Sequence, residues 1–262
     1  MDAHVHVDAF GEAWPAALAE IRARRIVTLA VSMDVASWEA TKALAAREPL
    51  LVPAFGIHPW EAPKWTHRLP ELDPLVAEAP LLGEVGLDRR FVKDPSAYGP
   101  QEEVFRYFLE AARRTGKLLN LHTSGAEARV ADLLADHGIE RMVVHWYNGP
   151  MGTLARLAEQ GAYFTVGVEL LRSERIERIA RRIPQDRLLS ETDNPGGWAW
   201  LSGEPGMPSL LARVVERLAE VRKLTLEEMR EVLESNARRM LAAAHVPWPE
   251  VGAGPPSPRL GP

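Results

Sequence analysis

The sequence contains no cysteine, which rules out disulfides, thiol nucleophiles, iron–sulfur clusters and cysteine-type zinc sites. Any metal must be held by His, Asp and Glu, a donor set that suits zinc, manganese or magnesium better than copper(I). No apolar run reaches the roughly 18 residues that a membrane-spanning helix needs. The N-terminus lacks the basic start and apolar stretch of a signal peptide and carries Asp2, His4 and His6 instead. That argues against export and for a cytoplasmic enzyme. Positive charge is not in excess either. A formal net charge of −5 is not that of a surface built to hold a polyanion. An enzyme that handles phosphates at bound cations needs only a local positive site, so this absence weighs little.

What is present suffices for one large core. The chain has 262 residues, 46% of them hydrophobic, and reads as a single barrel domain over residues 1–250. Residues 251–262 are rich in Gly and Pro and are expected to form a disordered tail. Eight short apolar runs, at residues 3–6, 26–32, 50–56, 81–85, 118–122, 142–145, 162–166 and 187–190, read as strands. They alternate with amphipathic stretches such as 101–115 and 126–137, where Val104, Phe105, Phe108, Leu109 and Ala112 recur at helical spacing. This alternation predicts an α/β fold, a (β/α)8 TIM barrel. An additional C-terminal helix over 226–244 would pack outside the barrel or across one end.

The position of the polar residues carries the functional signal. A strand buried on both faces should be apolar throughout. Here the first ends in His4 and His6, the third runs into His58, and the fourth, fifth and sixth meet Glu84, His122 and His145. Glu191-Thr192-Asp193 follows the eighth. The C-terminal strand ends form the catalytic face of such a barrel, so these residues converge at one mouth. His4 and His6, two apart, project to the same side. A lone strand-end His is usually a satisfied polar residue, and His67, His137 and His245 read as ordinary surface residues. Six buried ionisable groups at one mouth would be costly without compensating cations. Two neighbouring cations need a bridging carboxylate, and Glu84 is the natural candidate. Such a pair activates water and clamps both oxygens of an in-line displacement at phosphorus.

The ordered motifs are Asp2-Ala-His4-Val-His6, Gly56-Ile-His58-Pro59-Trp60, Gly83-Glu84-Val-Gly86-Leu87-Asp88, Leu119-Asn-Leu-His122, Val144-His145-Trp-Tyr-Asn-Gly149, Leu189-Ser-Glu191-Thr192-Asp193-Asn-Pro195 and Asn236. In order and spacing they resemble the TatD family of metal-dependent hydrolases, within the wider amidohydrolase-like barrels. The resemblance implies a two-metal site. His4, His6, Glu84 and Asp193 would hold one divalent ion (Mg, Mn or Zn), and Glu84, His122 and His145 the second. His58 would be a phosphate or substrate contact, Asp193 would orient or deprotonate the attacking water, and Asp88 and Glu191 would orient the ligands. Related barrels that bridge their metals with a carboxylated lysine are disfavoured, because Glu84 fills that position.

Three features depart from the family pattern. Thr123-Ser124 stands where a basic residue usually follows the strand-five histidine. Arg89-Arg90 stands where an aromatic usually follows Gly-Leu-Asp, and Tyr147, preceded by Trp146, replaces the usual Phe. Arg89, Arg90 and Lys93 either restore positive charge at the mouth or merely cap a loop. Trp60, Trp146, Trp198 and Trp200 either stack bases or pack the rim. The favoured reading is a deoxyribonuclease trimming single strands or ends, 3′ to 5′, with DNA as its partner and no membrane. One alternative keeps the metals but cuts an ester or amide, as in D-aminoacyl-tRNA deacylation. Another is an inert barrel acting as a binding partner, against which the complete ligand set argues.

Overall fold

The computed structural model describes residues 1–249; the expected tail at 251–262 lies outside them. Eight strands, β1 (Asp2–Val5), β2 (Thr28–Val31), β3 (Leu51–Phe55), β4 (Leu81–Gly86), β5 (Leu119–His122), β6 (Met142–Val144), β7 (Tyr163–Val166) and β8 (Leu188–Ser190), pair in sequential order. Every pairing is parallel. The seam between first and last strand is closed by the backbone: His6 N–H donates to Asn194 O at 3.0 Å and Asp193 N–H to His4 O at 2.9 Å. The predicted TIM barrel is therefore what the chain forms. Its strands stop a residue or two short of several predicted ends, so His6 and His145 lie just past β1 and β6, at the mouth.

Helices α1 (Trp14–Arg24), α2 (Val35–Ala45), α3 (Asp73–Glu78), α4 (Tyr98–Thr115), α5 (Glu127–Asp136), α6 (Met151–Glu159) and α7 (Glu174–Arg182) fill the crossovers. Three more follow β8: α8 (Gly196–Ser202), α9 (Leu210–Arg222) and α10 (Leu226–Ala243). Of these, α10 is the additional C-terminal helix expected over 226–244. In α4, Val104, Phe105, Phe108, Leu109 and Ala112 are buried as the spacing predicts, covering the outer face of the barrel. Gln101 of the same helix is buried and accepts from Asp88 N–H at 2.9 Å, which ties the helix to the loop after β4. Helix α10 starts with a reciprocal cap between Thr225 and Glu228. It buries Ala237, Met240 and Leu241 in the cluster that contains β1 and β2.

Two positions explain motif residues that have no chemistry of their own. Gly86 has φ +146°, and a Cβ there would stand 1.9 Å from His122 O, so only glycine lets β4 lie against β5 at the level of the site. Asn236 donates from Nδ2 to Gln185 O and Leu188 O, both at 2.7 Å, clamping α10 to the start of β8 at the end opposite the mouth. Removing it strands a buried carbonyl. Asn236→Ala is therefore expected to lower stability by about 1–3 kcal/mol in chemical denaturation, while kcat of the folded fraction stays within twofold of wild type. A tenfold fall in kcat would show that this end communicates with the mouth.

Candidate metal centre

Glu84 sits in the middle of the strand order, 2% exposed, with its two carboxylate oxygens facing different histidines. Its Oε2 lies 3.3 Å from His4 Nε2 and 3.4 Å from His6 Nε2. Its Oε1 lies 2.7 Å from His122 Nδ1, 3.2 Å from His145 Nε2 and 3.4 Å from His58 Nε2. Asp193 Oδ1 completes the first side, 3.3 Å from His6 Nε2 and 3.7 Å from His4 Nε2. The six residues proposed as ligands from the sequence are thus gathered in one cluster, with Glu84 at its centre.

What lies behind each imidazole fixes where its lone pair points. Asn120 donates from Nδ2 to Ala3 O at 3.0 Å, so its Oδ1 faces His4 Nδ1 at 2.8 Å and must accept a proton from it. That leaves the His4 Nε2 lone pair aimed inward, where it is buried without a hydrogen-bond partner. Asp88 Oδ2 faces His122 Nε2 at 3.1 Å, turning the Nδ1 lone pair toward Glu84. Glu191 Oε2 faces His145 Nδ1 at 3.5 Å without a hydrogen bond, and its charge favours the proton on that nitrogen and the lone pair on Nε2. Three acceptor nitrogens therefore confront acceptor oxygens, an arrangement that requires positive charge between them. An orphaned buried nitrogen and an all-nitrogen-and-oxygen donor set fit divalent cations.

His58 is built the other way round. Its Nδ1 accepts from Trp60 N–H at 3.2 Å, which places its proton on Nε2, facing the site. Burial pushes its pKa down to about 4 despite the pull of Glu84, so the ring is neutral and offers a hydrogen-bond donor, not a lone pair.

Without cations, protons respond to the same field. Burial disfavours the charged form of His6, but hydrogen bonds to Asp193 and Glu84 override it and push its pKa up to about 10. Burial opposes protonation at His145 too, yet Glu84 and Glu191 hold its pKa well above the usual range. Burial would raise the Glu84 carboxyl; His58, His4 and His145 around it hold it well below the ordinary carboxylate value. The pocket accumulates positive charge because its carboxylates demand it.

Two residues hold left-handed backbone here, Asp193 at φ +53° and Trp146 at φ +41°. Non-glycine residues in that region cost on the order of 1–3 kcal/mol unless neighbours enforce it. Trp146 N–H is held by Thr165 Oγ1 and Glu191 Oε1, both at 2.9 Å. Asp193 is pinned through its own N–H to His4 O and through Gly197 N–H to its carbonyl.

The cavity above this centre has a volume of about 380 Å³. Trp60, Arg90, Trp146 and Trp200 line it. Arg89 does not: Asp88 Oδ1 accepts from Arg90 N–H and Phe91 N–H, and that tight turn leaves the Arg89 guanidinium over the Tyr98 ring, 5.2 Å from its centroid, away from the cavity. Lys93 is exposed and lies outside it too. Trp198 packs instead between Arg172 and Arg213. His67 and His245 are exposed surface residues, while half-buried His137 bonds to Leu133 O. Sequence reasoning missed Asn120 and Phe91. Asn120 was detectable, because it precedes His122 by two positions on a buried strand and so shares its inward face.

A parallel barrel carrying histidines and carboxylates at its C-terminal mouth defines the class of metal-dependent hydrolases built on this scaffold. Within that class, the TatD-related DNase family model matches residues 1–242, and the chain belongs to that family. It is 27% identical over 260 residues to the mouse (Mus musculus) putative deoxyribonuclease TATDN3, covering 92% of this chain and 87% of that one. It is 26% identical over 260 residues to the metal-dependent hydrolase YabD of Bacillus subtilis, covering 91% and 97%. The crystal structure of YJJV, a TatD homologue from Escherichia coli, superposes with a TM-score of 0.82 at 25% identity, covering 91% of this chain and 96% of that one. Among the described residues no helix is long and apolar enough to cross a membrane.

Proposed function

We propose that the protein is a two-metal phosphodiesterase that shortens DNA strands from an end, 3′ to 5′. The observation that carries this reading is the division of the Glu84 carboxylate between two histidine sets. His4, His6, Glu84 and Asp193 would hold one divalent cation, and Glu84, His122 and His145 the other. Bound there, the pair would ease deprotonation of water and neutralise charge building on the phosphoryl oxygens. Asp193, with a side chain 19% exposed to the cavity, accepts the proton of the attacking water. His58 donates from Nε2 to a phosphoryl oxygen, and Arg90 adds the nearby positive charge. Asn120, Asp88 and Glu191 hold the imidazoles of His4, His122 and His145 in the tautomers that leave their inward nitrogens free.

That Arg90 is the one Arg or Lys lining the cavity among the described residues also suits a substrate with a single phosphate or ester, which keeps aminoacyl-ester hydrolysis as a second reading. The discriminating assay runs end-labelled single- and double-stranded oligonucleotides beside a carboxylic ester, with Mg, Mn or Zn after chelation. Metal-restored shortening from the 3′ end is expected. Intact oligonucleotides with all three metals would reject the nuclease, and ester cleavage alone would establish the second reading.

A further inference from the structure

Among the described residues the exposed large hydrophobic side chains are Trp60, Phe91, Met151 and Trp200, and three of the four stand at the mouth of the one cavity above the metal centre. Exposed rings gathered at one place, not scattered singly, mark a binding surface. They form a chain. Trp60 meets Phe91 edge to face with centroids 6.4 Å apart, Phe91 meets Trp200 at 6.4 Å, and Trp200 meets Trp146 at 6.0 Å. The two ends of this chain are anchored and the middle is not. Trp60 Nε1 donates to Asp88 Oδ2 at 2.8 Å, and Trp146 Nε1 donates to Glu169 Oε2 at 2.6 Å. The Phe91 ring can form no hydrogen bond, although the exposed Arg90 guanidinium stands over it, 5.7 Å from its centroid, and the Trp200 indole N–H makes no hydrogen bond among the described residues. Phe91 and Trp200 are 49% and 58% exposed.

We infer that Phe91 and Trp200 form a clamp for one unpaired nucleobase, set between the fixed walls of Trp60 and Trp146 and above the phosphate position. The inference rests on the phosphodiesterase reading and adds the part of the substrate that the metal centre does not touch. An edge-to-face contact is worth only about 0.5–1.5 kcal/mol beyond the area it buries, so a flat base can take the place of the Phe91–Trp200 contact at little cost. Stacking tolerates any base, because each presents a π-face. A base still in a duplex is stacked on its neighbours and cannot enter; the terminal nucleotide of a single strand can. Charge points the same way. With Arg90 as the sole Arg or Lys lining the cavity among the described residues, affinity for a long phosphate backbone is weak, so recognition falls to the rings. Asp88 couples the two regions, since one carboxylate receives Trp60 Nε1, Phe91 N–H and His122 Nε2.

Two measurements test the clamp on the full chain. In the first, intrinsic tryptophan fluorescence follows titration with thymidine 5′-monophosphate and with deoxyribose 5-phosphate, for wild type, Phe91→Ala, Trp200→Ala and Trp200→Phe. Each alanine variant is expected to weaken binding of the nucleotide about tenfold or more and to narrow its advantage over the sugar phosphate. Trp200→Phe should recover most of it. Equal weakening for both ligands, or none for the nucleotide, would overturn the clamp. In the second, kcat/KM is compared for oligonucleotides ending in thymidine or in an abasic residue. The preference for the base-bearing end should collapse in the alanine variants, and an unchanged preference would overturn the inference. If wild type cuts neither oligonucleotide, the phosphodiesterase reading fails by itself, while the nucleotide titration still decides whether the rings hold a base.

Discussion

Asp193→Asn is expected to lower kcat by about 10²–10⁴-fold, the range removed with a general base, while leaving the thermal transition in place. The carboxylate lies at the open side of the centre, its Oδ1 3.3 Å from His6 Nε2 and 3.7 Å from His4 Nε2. It is the one acid of the cluster that both reaches the histidines and is partly exposed to the cavity. Asn has the same shape and tolerates the left-handed backbone at φ +53° as well as Asp does. The hydrogen bonds that fix this turn come from its backbone, not its side chain. Substitution therefore removes a charge, a proton acceptor and one of the carboxylate oxygens proposed to face a cation, without disturbing packing. Kinetics on an end-labelled single strand and a melting curve check the two halves together. Turnover above one tenth of wild type would remove Asp193 from its role, and a collapsed transition would make it a structural residue.

The barrel was legible because its signal is repeated. Each strand is a short apolar run, and the crossovers that became α4 and α5 carry a 3.6-residue rhythm. Strand edges were less legible for a physical reason. His6 and His145 belong to the apolar runs in sequence but lie one residue past β1 and β6, where each keeps a single N–H bond to the adjoining segment, to Asn194 O and Leu121 O. The gathering of His4, His6, Glu84, His122, His145 and Asp193 was readable because the fold sends all strand ends to one rim. Side-chain direction in loops was not. Arg89 and Arg90 are neighbours of equal charge, yet the turn capped by Asp88 sends one into the cavity and the other onto Tyr98. Phe91 supplies a ring at that rim two positions later than the family pattern would have it. Helix α8, which carries Trp200, has only seven residues and begins Gly-Gly, too short and too poor in helix formers to declare itself.

Glu84→Gln is expected to cost both metal sites at once. Because Oε2 serves His4 and His6 while Oε1 serves His122 and His145, no rotation of an amide can satisfy both sides. One side would keep a carbonyl oxygen without its charge, and the other would meet an NH₂ group where a cation should sit. The negative charge that draws cations into a site 2% exposed would be gone. Metal analysis of protein reconstituted with excess manganese and then desalted should give near two ions per chain for wild type and well below one for the variant, with activity lost in parallel. Asp193→Asn provides the contrast. Its carboxylate lies with His4 and His6 only, so it should weaken one ion and spare the ion held by Glu84, His122 and His145. A Glu84→Gln protein that keeps one ion at full occupancy would mean that Glu84 belongs to a single site. The two centres would then be independent, with no carboxylate shared between them.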